Sequence, residues 1–133
     1  MILLALAFSP IVASATTSIG ISGAPSGASL EYTATLTSLT CPKGGYPQET
    51  TTYTSFNYVV DGIAYPMSGE AIWQTTYVCQ GRTVNGYTDP ATLAVPSAAS
   101  PGQTCTIAFN PDNGSPNAAM TCSTSYQGIV YPK

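Results

Sequence analysis

After residue 20, no stretch of this chain keeps its apolar residues at helical spacing, and Gly, Pro, Asn and Asp interrupt it about every ten residues. Segments that short suit strands, so an all-β fold is expected. Leu30, Tyr32, Ala34 and Leu36 alternate with Glu31, Thr33, Thr35 and Thr37, the period-two pattern of a half-buried strand. Thr51 to Val60 reads as a second strand with Phe56, Tyr58 and Val60 on one face, and Asp61-Gly62 supplies a hairpin turn into Ile63 to Met67. Ala71 to Cys79 would set Trp73, Thr75, Tyr77 and Cys79 on one side. Arg82 to Pro90 is turn-rich, Ala91 to Val95 is short and apolar, Ser97 to Gln103 is loop, and Tyr126 to Tyr131 reads as a last edge strand.

Roughly six to eight short antiparallel strands in one chain of 133 residues point to a single immunoglobulin-like antiparallel β-sandwich. The similarity is architectural, because Trp73 lies far beyond Cys41 instead of shortly after it. Residues 30–133 form the expected sandwich domain, residues 16–29 an N-terminal arm or linker, and residues 1–15 a short apolar segment.

That segment has the marks of a secretory signal peptide. Its apolar run, Ile2 to Ala13, falls short of the roughly 20 residues a membrane-spanning helix needs, and it ends in the small-residue pattern Ala13-Ser14-Ala15. The expected scissile bond is Ala15/Thr16. No Lys or Arg precedes the run, and the alternatives are a buried first strand, against which Pro10 argues, and a retained segment acting as a pilin-like membrane stem or as a strand donated to a neighbouring subunit.

Cys41, Cys79, Cys105 and Cys122 are widely spaced, and the chain has no histidine to complete a Cys/His site. Two disulfides in an oxidising compartment are expected, not a metal. Asp112-Asn113-Gly114-Ser115 carries the Asn-Gly dipeptide of tight hairpins. Centring the turn there opposes Cys105 to Cys122, Ile107 to Met120 and Phe109 to Ala118, giving the hairpin one consistently apolar face. The cysteines then fall at a non-hydrogen-bonded pair, where a Cα separation of about 4.5 Å accepts a disulfide. Cys41 is left for Cys79.

Three Lys or Arg and six Asp or Glu, with no run of either sign, leave too few cations for a nucleic-acid face or a polybasic membrane site. The usual acids and bases of neutral-pH catalysis are equally sparse, so no enzyme and no cofactor are expected. Trp73 with Tyr53, Tyr65, Tyr77 or Tyr87 would suit a sugar-stacking platform if exposed, although alternation in a strand usually marks burial. Asn113-Gly114-Ser115 is a glycosylation sequon, weakened by Pro116.

The composite expectation is an exported, non-catalytic protein, secreted or at the cell surface, serving extracellular structure, adhesion or filament assembly. Its partners would be other subunits or surface glycans, with homo-oligomers formed through sheet edges or the N-terminal strand. A carbohydrate-binding module is the alternative, and a small secreted inhibitor displaying the Pro111 to Pro116 hairpin is a weaker one.

Overall fold

The computed structural model describes residues 11–39, 48–77 and 84–124, which form nine strands and no α-helix. The first sheet contains β1 (Ile11–Gly20), β2 (Ser29–Leu39), β3 (Gln48–Val60), β4 (Ile63–Pro66), β5 (Ala71–Tyr77) and β6 (Val84–Asp89). Its order is β1-β2-β3-β5-β6, with β4 beside the far end of β3. The second sheet runs β7 (Ala91–Ala94), β8 (Gln103–Asn110), β9 (Asn117–Thr124). Every strand pairing in both sheets is antiparallel.

Local chemistry sets the turns. Asp61 and Gly62 both take positive φ, 51° and 75°, and join Val60 to Ile63 as a two-residue hairpin loop of the twist-matched kind. The β8–β9 loop is wider, a 3-10 turn over Asp112–Gly114 in which the Asp112 N–H donates to Asn110 Oδ1 at 3.0 Å. Because that loop is symmetric, the register is the one its Asn-Gly centre implies: Cys105 opposes Cys122, Ile107 opposes Met120 and Phe109 opposes Ala118.

A β-bulge in β3 decides what reaches the core. Glu31 pairs with Asn57 and Thr33 with Thr54, so Ser55 and Phe56 together face Tyr32, and Ser55 sits at φ 57°. The extra residue reverses the alternation, and Tyr53 therefore shares the inner face with Phe56 and Tyr58 despite its odd number.

The two inner faces enclose one core in a sandwich-like arrangement. Leu30, Tyr32, Tyr53, Phe56, Tyr58 and Ala71 come from the first sheet, and Leu93, Val95, Ile107, Phe109, Ala118 and Met120 come from the second sheet and its margin. Phe109 is the aromatic hub, with ring centroids 4.9 Å from Phe56, 5.2 Å from Tyr32 and 5.3 Å from Tyr53. These tilted and edge-on contacts add to the burial energy of the rings.

Cys105 and Cys122 are disulfide-bonded with Cα atoms 4.1 Å apart. The Cys105 carbonyl accepts from the Val95 N–H at 3.0 Å, so its backbone turns toward the β7 side and away from β9, as a non-hydrogen-bonded β8–β9 pair requires. This bridge ties neighbouring strands of one sheet. Cys41 and Cys79, and with them the second expected disulfide, lie outside the described residues, as does the Tyr126 to Tyr131 strand.

Residues 16–20 of the expected arm are the second half of β1, and residues 21–28 connect it to β2. One expectation is corrected. Residues 84–89 of the turn-rich Arg82 to Pro90 stretch form β6, because pairing along β5 holds extended a segment whose composition favours turning. Leu36 lies on the inner-face alternation but is 39 % exposed, where the long strands β1 to β3 run past the smaller second sheet.

Candidate functional site

The described acids all stand at or near the surface, the described core contains no polar or charged residue, and no described group of His, Cys, Asp and Glu is arranged to hold a metal ion. Among the described residues the features able to act are therefore a cleft, the aromatic side chains and the sheet edges.

Of the aromatic residues expected to form a platform, Tyr53 is turned into the core. Tyr53 is 4 % exposed and packs edge-on against Tyr32 at 5.5 Å, so it serves the core. Tyr65 is half-buried with its ring 6.4 Å from Tyr58. Trp73 is also half-buried and packs against the core, and its indole faces the β8–β9 hairpin tip beside Gly114. In the β5–β6 register Trp73 pairs with Thr88 and Gln74 with Tyr87, so Tyr87 and Trp73 occupy alternate positions. Only the backbones of Tyr77 and Tyr87 are described. Asn113 occupies the hairpin tip between exposed Asp112 and Gly114, and its side chain is likewise outside the description.

The cleft, of about 450 Å³, opens at the disulfide end of the sandwich. Tyr58, Val95, Met120 and the Cys105–Cys122 bridge form its walls, and Gln103 stands among them. Burial is the main cause that raises the Tyr58 phenol above its ordinary pKa, followed by Asp61 and then Tyr65 nearby. The Ser100 hydroxyl is already placed to bond the carbonyls of Pro96 at 3.3 Å and Gln103 at 3.4 Å. Among the described residues its lining holds no carboxylate, ammonium or guanidinium, a surface suited to small uncharged groups.

A close backbone approach builds one side of that cleft. After β1 the chain crosses to the second sheet, where the Ser22 N–H donates to Ala118 O at 2.9 Å and the Met120 N–H donates to Ser22 O at 2.7 Å. Gly23 follows at φ 79°, and a Cβ there would lie 2.7 Å from the Met120 carbonyl oxygen, so only glycine fits. This crossing covers part of the β9 edge.

The β1 edge is the most extended feature. β1 has ten residues, Ile-Val-Ala-Ser-Ala-Thr-Thr-Ser-Ile-Gly, with no charge and no proline, and among the described residues it pairs on one side only, with β2. Its register runs from Ile11 opposite Ser38 to Gly20 opposite Ser29. Residues 12–18 are exposed, Val12 by 58 %. Edge strands of this length normally carry a charge, a proline or a bulge that discourages further pairing. Apart from β1, the described edges are short or, in β9, partly covered.

Beside this edge the outer face of the sheet is a field of hydroxyls. Register places Ser14, Thr35 and Thr52 in one cross-strand row and Thr16, Thr33 and Thr54 in the next. Ser14 Oγ and Thr35 Oγ1 lie 3.2 Å apart, within hydrogen-bonding distance. Such cross-strand pairs stabilise the sheet without ions. The retained-strand alternative for the N-terminal segment finds residues 11–15 inside β1, with Ala13-Ser14-Ala15 at mid-strand.

The disulfide is compatible with an oxidising compartment. No helix of the described residues is long and apolar enough to cross a membrane. No protein family, curated protein or solved structure matches the chain.

Proposed function

We propose that this is an exported, non-catalytic protein of the extracellular space or cell surface that works by assembly, joining neighbouring subunits through strand addition at the β1 edge. The observation that carries this reading is the ten-residue β1 edge, uncharged, free of proline and paired on one side among the described residues. Main-chain N–H and C=O groups along such an edge form a template for another strand, and hydrogen bonds of that kind need no particular side chain. The intra-sheet disulfide supports export. The division of strands between two antiparallel sheets around one core supports the immunoglobulin-like reading of the architecture.

The test is a concentration series of residues 1–133 by light scattering, alongside Thr17→Pro and Ser18→Pro. Successive residues of an edge strand aim their N–H groups alternately at the neighbour and outward. One substitution is therefore expected to abolish association with an unchanged melting temperature, while the other lowers the melting temperature. A wild-type protein that stays monomeric throughout the series overturns the reading.

A further inference from the structure

The expected cleavage bond, Ala15/Thr16, falls in the middle of β1. Its two halves differ in what they hold. Ile19, in the C-terminal half, packs against the core, and Gly20 leads into the crossing that hydrogen-bonds β9. Residues 12–15 are all exposed. The N-terminal half pairs through its backbone ladder with Ala34–Ser38, and among the described residues every core residue lies beyond residue 15.

We infer that cleavage at Ala15/Thr16 opens the Ala34–Ser38 stretch of β2, and that the same stretch of a second copy of this chain fills it. The inference rests on the reading of an exported, edge-assembling protein. Residues 16–20 still cover Ser29–Thr33 after cleavage, so pairing is confined to the freed stretch. Two copies of one open edge pair antiparallel about a two-fold axis, which sets Ala34 against Ser38 and Leu36 against its own mate. Leu36, 39 % exposed and opposite Ala13 in the uncleaved chain, then gains an apolar neighbour in place of alanine. The stretch Ala34-Thr35-Leu36-Thr37-Ser38 carries no charge, so its self-pairing meets no repulsion. A ladder this short makes a small interface, and the association is concentration-dependent.

The experiment compares Leu36→Cys in residues 16–133 and in residues 1–133 on a non-reducing gel after mild oxidation, with light scattering of both unmodified forms. The expected result is a dimer linked through the introduced thiol, from 16–133 alone, with the linkage identified by peptide mass. A synthetic peptide of residues 11–15 is expected to return unmodified 16–133 to monomer by reoccupying the slot. If 16–133 associates but neither cross-links through the introduced thiol nor responds to the peptide, this inference falls while edge assembly stands. If neither form associates, edge assembly falls and this inference with it.

Discussion

Ser55 holds the left-handed conformation that opens the β3 bulge, at φ 57° and with its side chain exposed. A non-glycine residue there costs about 1–2 kcal/mol, and glycine gives back about 0.5–1 kcal/mol of that through its greater freedom in the unfolded chain. Ser55→Gly is therefore expected to raise unfolding free energy by about 0.5–1 kcal/mol, read from urea denaturation. A destabilised variant would mean that the serine side chain holds the bulge. This single residue also limited what the sequence could disclose. Nothing in Thr54-Ser55-Phe56 signals an inserted position, so strict alternation sets Tyr53 opposite Phe56 and leaves it free to be a binding residue, whereas it is core.

At the scale of elements, legibility followed how local the determinants are. The Asp61-Gly62 hairpin and the β8–β9 register were readable because turn chemistry and a two-residue period act over a few positions, and Cys105 and Cys122 are separated by only 17. β6 was not readable, since Asn85-Gly86 has turn composition and its extension comes from β5, a partner distant in local pattern. Residues 11–15 of β1 read as the end of a leader and 16–20 as an arm because their small residues fit either role, and pairing with β2 is a property of the fold. The β8–β9 hairpin carries a prediction of its own. Cys105→Ala with Cys122→Ala should lower unfolding free energy by about 3 kcal/mol while leaving the circular dichroism of the sheet in place. An unchanged denaturation midpoint would show that the turn and the apolar face alone secure the hairpin.

The whole molecule responds to alkali through its aromatic core. Tyr32, Tyr53 and Tyr58 all have pKa values raised above 10.0, chiefly by burial. Below pH 10 these phenols are neutral folded or unfolded and full stability is kept. Above it the unfolded chain releases their protons first, so the folded state holds more protons and stability falls as pH rises toward the folded values. The melting temperature should thus be level through neutral pH and decline from about pH 10 upward, with the tyrosinate absorbance of these three of the nine tyrosines appearing together with unfolding. Titration of all nine tyrosines ahead of unfolding would contradict burial of these rings.

The hydroxyl rows across β1, β2 and β3 reach beyond stability. A sheet face hydrated by Ser and Thr, on a chain with three basic and six acidic side chains, gives dissolved salt little charge to screen. Main-chain pairing at the edge of that sheet is equally indifferent to ions. If the chain assembles as proposed, its association constant should therefore change little across moderate salt concentrations, in contrast to an ion-paired interface.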